Sequence, residues 1–112
     1  MNLRPGEVWL ADLGLAAKYR PVVIVSRHDP DPPRALAIYV PITSQDRGSA
    51  YEVRLPKSRF LQAGSVANVQ GLGSLPTARL DRRIGVLRGE TMAEIRRAIL
   101  WALELDPPAS TP

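Results

Sequence analysis

Arg20-Pro21-Val22-Val23-Ile24-Val25 is the stretch that decides the reading of this chain. Four β-branched residues in a row fit a pleated, buried strand, and Pro21 suits a strand's first position, where a missing N–H costs least. An arginine therefore stands where a strand begins. Its counterpart is Pro41-Ile42-Thr43-Ser44-Gln45, where an apolar strand, Ala35 to Pro41, ends in hydroxyls. A rigid guanidinium beside a hydroxyl, held on neighbouring strands, makes a phosphate-binding pair.

Working outward, Glu7 to Leu13 reads as a first strand, with Val8, Leu10 and Ala11 as core candidates. His28 to Arg34 holds three prolines and two aspartates and reads as a loop. Tyr51 to Leu55 alternates as a half-exposed strand should, Gly64 to Val69 is a further strand, and Arg83 to Leu87 closes the β portion. Gln70 to Arg79 has only weak patterning. Thr91-Met92-Ala93-Glu94 has capping-box spacing and predicts a helix start. Met92, Ile95, Ile99, Ala102 and Leu103 recur at helical spacing, and Asp106-Pro107-Pro108 ends the element. Leu100, Trp101 and Leu105 widen that stripe, toward either a dimer contact or a large core contact. The fold class expected is mainly β (α+β): a small SH3-like β-barrel with a C-terminal α-helix.

At 112 residues the chain is long enough for one core, expected as a single domain over 1–106 with a frayed tail over 107–112. It has no cysteine, which excludes disulfides and thiolate chemistry. Its single histidine and scattered carboxylates offer no ligand cluster for a catalytic metal, and no cofactor is expected. No apolar run approaches the roughly 20 residues that span a bilayer, and Met1 to Gly6 lacks the apolar core of a secretion signal. A cytoplasmic protein is the expectation. The formal charge is +4, and of 15 basic residues only Lys18 and Lys57 are lysines. Arginine stacks on bases and grips phosphate bidentately, but an arginine-rich surface also follows from a GC-rich genome.

Taken in order, Gly6-Glu7-Val8-Trp9 with Asp12-Leu13, Arg20-Pro21-Val22-Val23, Pro41-Ile42-Thr43-Ser44, Ser65 through Gln70, Arg79-Leu80, Ile84-Gly85 and the helix from Glu90 to Leu105 resemble the MazF/PemK family of toxin ribonucleases. The resemblance runs from about Arg4 to Leu105. It implies a CcdB/PemK-type barrel and an endoribonuclease that cuts single-stranded mRNA at short specific sequences without a metal. The ribose 2′-OH would attack, leaving a 2′,3′-cyclic phosphate and a 5′-OH. It further implies a homodimer, and a cognate antitoxin whose acidic tail covers the RNA groove.

Carried onto this chain, the resemblance makes Arg20 and Thr43 the catalytic candidates, and Ser44, Gln70, Lys18, Tyr19 and Asn68 the substrate-binding ones. Arg20 would stabilise charge on the pentavalent phosphate; the plainer reading is an arginine capping a strand end. Thr43 can donate to a phosphate oxygen while accepting elsewhere, or simply bond its own backbone in a turn. Gln70 stands where the family has an Asp-Gln pair, but Val69 replaces the acid, so Gln70 either reads a base edge or sits idle on a sheet edge. The first loop, Gly14 to Tyr19, lacks the family's glutamate, which leaves the 2′-OH without an assigned proton acceptor. Lys18 and Tyr19 there bind phosphate and stack a base, or make ordinary loop contacts. His28 belongs at the far end of its strand from Arg20, as a solvated loop residue. Asp12 either orients Arg20 or caps the turn, and Arg82-Arg83 and Arg96-Arg97 are basic tracks or solvated faces.

Two rival functions share the fold. One is a CcdB-like gyrase poison, against which stand the Ala109-Ser110-Thr111-Pro112 ending and the Arg20–Thr43 pair. The other is a degenerate member that binds RNA or antitoxin without cutting, which the missing loop glutamate keeps open. An SH3-like peptide module lacks the aromatics for a proline groove.

Overall fold

The computed structural model describes residues 1–14 and 19–106. The expectations for Lys18 and for the tail over 107–112 lie outside the described residues. Seven strands, β1 (Glu7–Ala11), β2 (Arg20–Ile24), β3 (Leu36–Thr43), β4 (Glu52–Arg54), β5 (Val66–Asn68), β6 (Gly73–Pro76) and β7 (Leu80–Val86), precede one helix, α1 (Gly89–Ala102). All the pairings are antiparallel, in the order β4-β5-β3-β2-β1-β7, with β6 added alongside β3. Among the described residues β4 and β7 do not pair, so the expected barrel is an open sheet rather than a closed one.

The organising element is β3. One of its edges pairs with β2 from Tyr39 to Pro41. Its other edge takes β6 along Leu36 to Tyr39 and then β5 at Ile42 and Thr43. Pro41, with no N–H to donate, falls in the gap between those two partners, where a missing ladder bond does least harm.

Strand alternation separates two apolar clusters. Val8, Val23, Val40, Ile42, Ala67 and Leu87 gather with Met92 and Ile95 of α1. Ala11, Val22, Ile24, Ala37, Leu75 and Leu80 form the second, with Trp9, Leu13 and Tyr39 packed on it.

Several boundaries differ from expectation. β1 stops at Ala11 because Asp12 turns the chain, its Oδ1 accepting the Gly14 N–H at 2.9 Å. The weakly patterned 70–79 segment contains β6, whose half-exposed register conceals any alternation. The helix begins at Gly89 with Arg88 as cap, not at Thr91, and no side chain caps it. Leu87 is buried and donates its N–H to the Gly6 carbonyl at 2.8 Å, which docks the chain and starts the helix directly after β7. The far end closes three residues before Leu105. The Leu105 N–H reaches the Leu100 carbonyl at 2.7 Å and the Glu104 N–H reaches Trp101 at 3.1 Å, a Schellman motif with Glu104 at φ 55°. Leu100, Trp101, Leu103 and Leu105 stay exposed, and the Trp101 ring meets Tyr51 edge-on at 4.9 Å.

Candidate active site

The site follows from register. Val22 pairs with Pro41, so two further residues along each strand set Arg20 opposite Thr43. Arg20 is also the partner of Ala11, and Thr43 the partner of Val66. Opposed residues of antiparallel strands share a face. Arg20 and Thr43 therefore lie together on one face, and Asn68 and Glu52, paired with each other across β5 and β4, extend that face.

Two clefts open here. One, of about 540 Å³, is lined by Leu13, Arg20, Pro41, Thr43, Asn68 and Gln70, together with Gln45, Arg47 and Glu52. The second, of about 360 Å³, runs past Pro21, Ser44, Phe60, Gln62 and Ser65. Arg20, Ile42, Thr43 and Gln45 line both, forming the ridge between them. A strand laid over that ridge would bring a phosphate to the guanidinium and the hydroxyl together.

Among the described residues, no hydrogen bond or ion pair engages the Arg20 guanidinium, and the side chain is exposed. The Thr43 Oγ1 accepts the Gln45 N–H at 3.1 Å, the local turn that sequence reasoning set against a phosphate role. The two are compatible: a hydroxyl that accepts through one lone pair keeps its proton to donate. Asn68 Oδ1 accepts the Gln70 N–H at 3.1 Å and starts a 3₁₀ turn over Val69–Gly71. Gln70 thus sits in that turn, not in a strand, because the Asn68 cap bends the backbone out of the ladder. The turn presses on β3: a Cβ on Gly71 would lie 2.6 Å from Pro41 Cγ, so only glycine fits there.

Ser44 lies on the second cleft, and Tyr19 is exposed beside Arg20. His28 lies beyond the far end of β2, its Nε2 bonded to Asn2. Of the basic pairs, Arg83 reaches the buried Glu7 at 3.4 Å and Arg97 reaches the exposed Glu90 at 2.6 Å. No three His, Cys, Asp or Glu side chains converge among the described residues.

Sequence reasoning missed Glu52 and Arg47. Glu52 accepts the Arg47 N–H at 3.0 Å, the Ser49 N–H at 2.9 Å and the Ser49 hydroxyl at 2.8 Å. The Arg47 N–H first, then Ser49, holds the Glu52 carboxyl below the ordinary glutamate value. The available signal was the polar Gln45-Asp46-Arg47-Gly48-Ser49 run with an acid three residues on, and it reads as loop until the loop is seen to close on that acid.

The sign of the pH effect follows. A carboxyl whose folded pKa is depressed adds stability above the unfolded value and loses it as pH falls through the folded one. Glu52→Gln is therefore expected to be less stable than wild type by a constant margin near neutrality. That margin should close below about pH 4. Urea unfolding of both proteins across the acid range checks it; a margin independent of pH would contradict the assignment.

An open antiparallel sheet, one packed terminal helix and an arginine–hydroxyl ridge between two clefts define a small α+β protein of the toxin type. The chain belongs to the PemK-like, MazF-like toxins of type II toxin–antitoxin systems, whose family model matches residues 4–103. It is 38% identical over 102 residues to the probable endoribonuclease MazF5 of Mycobacterium tuberculosis, covering 89% of this chain and 88% of that one. Endoribonuclease MazF3 of the same species is 33% identical over 89 residues, covering 80% and 86%. The solved M. tuberculosis toxin MazF-mt6 superposes with a TM-score of 0.78 at 32% identity, covering 92% of this chain and 99% of that one. A mycobacterial endoribonuclease in complex with its cognate antitoxin gives a TM-score of 0.81 at 27% identity, covering 95% and 99%.

Proposed function

We propose that this protein is a toxin endoribonuclease that cuts single-stranded mRNA at short specific sequences, using no metal. The observation that carries the reading is that Arg20 and Thr43 line both clefts together. In the proposed reaction the ribose 2′-OH attacks the adjacent phosphorus, the O2′–P bond forms and the P–O5′ bond breaks. The products are a 2′,3′-cyclic phosphate and a 5′-OH. Arg20 meets the charge that grows on the non-bridging oxygens, and the Thr43 hydroxyl donates to one of them. Ser44 and Asn68 flank that phosphate, with Gln70 and Tyr19 toward the bases and the neighbouring backbone; a substrate-binding role for Lys18 rests on the family resemblance alone.

The relatives' names support the activity, and the antitoxin complex of one neighbour supports the partner. This chain would act in the cytoplasm as a homodimer, held by an antitoxin whose acidic segment occupies the RNA cleft. No helix among the described residues is long and apolar enough to cross a membrane.

The testing experiment incubates purified protein with long single-stranded RNA in excess EDTA and maps the ends. Discrete cuts ending in cyclic phosphate are expected. Intact RNA with a protein still toxic on expression would point instead to a protein target on the same fold. Intact RNA without toxicity would point to a binder that does not cut.

A further inference from the structure

The loop between β3 and β4 is folded around a single carboxylate. Glu52 takes three donors from Arg47 and Ser49, and returns its own N–H to the Ser49 carbonyl at 3.1 Å. A second brace lies beside it. Asp46 Oδ1 accepts the Gly48 N–H at 2.8 Å, and its Oδ2 accepts from Arg54 Nε at 3.1 Å. The loop is thus tied to β4 at two points, Glu52 and Arg54.

An acid lining a cleft meant for RNA would ordinarily repel the substrate. Here the N–H and O–H groups of the loop occupy its lone pairs, which stabilises the ionised carboxylate and offsets part of its field toward the cleft. The Arg47 main chain makes the hydrogen bond of this tie, and the Arg47 charge adds a weaker coulombic attraction to the same carboxylate. The Arg47 side chain is exposed on the same cleft as Arg20, and among the described residues it makes no hydrogen bond or ion pair. A backbone anchored through its own N–H, carrying an exposed guanidinium with no hydrogen bond or ion pair among the described residues, places a cation on this cleft within reach of an external anion.

We infer that Arg47 is a second phosphate-binding residue, gripping a backbone phosphate of the RNA neighbouring the one at Arg20, and that Glu52 positions it. The inference rests on the reading of this cleft as the RNA site. Arg20 and Thr43 act on the reacting phosphate. Arg47 takes the next phosphate into the larger cleft and sets the register of the strand across the ridge, while Glu52 acts only through the loop.

The test measures binding of a short single-stranded 2′-O-methyl RNA carrying a sequence that the wild type cuts. Methylation blocks the attacking hydroxyl, so the complex persists. Arg47→Ala is expected to weaken binding about tenfold, as loss of one charge-assisted contact does. It should also flatten the slope of log affinity against log salt by about 0.7, the value for one phosphate contact to a single strand. Lys57→Ala removes one charge from an exposed residue lining neither cleft and is expected to change neither quantity.

Glu52→Gln keeps the side chain's size but sets an amide against N–H donors. It is expected to weaken binding in the wild-type background and to add little in the Arg47→Ala background. Unchanged affinity and slope in Arg47→Ala would overturn the proposal while leaving the ribonuclease reading intact. A Glu52→Gln loss that adds in full to that of Arg47→Ala would overturn the positioning role, since a residue acting only on fold stability couples to neither. A wild type that neither cuts nor binds RNA would overturn both readings.

Discussion

Arg20→Ala is expected to lower the rate of RNA cleavage by about 10²–10³-fold, or roughly 2.7–4 kcal/mol of transition-state stabilisation. The structure allows this loss to be separated from a loss of folding. The Arg20 side chain is exposed and no described residue is ion-paired to it, so truncation buries no cavity and strands no carboxylate. Thermal unfolding should be nearly unchanged. Arg20→Lys should recover only part of the rate, because an ammonium is a point charge and cannot meet two phosphate oxygens with a planar fork. Cleavage measured under single-turnover conditions, alongside a melting curve, decides the matter. A variant that melts normally and still cuts at the wild-type rate would remove Arg20 from the chemistry.

Gly6→Ala carries the largest expected effect on stability. Gly6 has φ +95°, and a Cβ there would lie 2.4 Å from the Leu87 carbonyl oxygen. The obstruction is backbone, and it is held on both sides: the Gly6 N–H bonds to Ile24 and the Leu87 N–H bonds to Gly6, each at 2.8 Å. Strain and overlap together are expected to cost about 3 kcal/mol. For a chain of this size that corresponds to a fall in Tm on the order of 10–20 °C. The junction tied by Gly6 joins the chain's first turn, the end of β2 and the start of α1, so the whole domain should melt in one lowered transition. A Tm within a few degrees of wild type would mean that the Leu87 carbonyl gives way.

Much of the fold was legible because its signals are local. The β-branched run Pro21 to Val25 and the apolar Ala35 to Pro41 announce strands through side-chain chemistry that needs no partner. The Met92, Ile95 and Ile99 spacing announces a helix in the same way, and Met92 and Ile95 are indeed buried in the first cluster. Boundaries were less legible because they are set by docking. Leu87 settles onto Gly6 and starts the helix at Gly89, so the Thr91 to Glu94 spacing falls inside the helix rather than at its start. β6 was hidden because Gly73-Ser74-Leu75-Pro76 has one buried side chain, and only the edge of β3 makes it a strand.

The candidate site divides along the same line. Arg20 at a strand's start and Thr43 at another's end can be read from the chain, since strand ends are local features. Their opposition on one face is a matter of register, which the β2–β3 pairing decides. Glu52 and Arg47 carry no sequence mark of their own. They join the site because the loop before β4 closes on a carboxylate, and because β5 takes the edge of β3 that Pro41 frees from β6.

By itself, then, the sequence determined the helix, the strands other than β6 and the family pattern they follow, because period and β-propensity act within a few residues. The tertiary structure alone decided which residues share the cleft with Arg20. That depends on pairings between residues far apart in the chain, whose closure no local preference specifies.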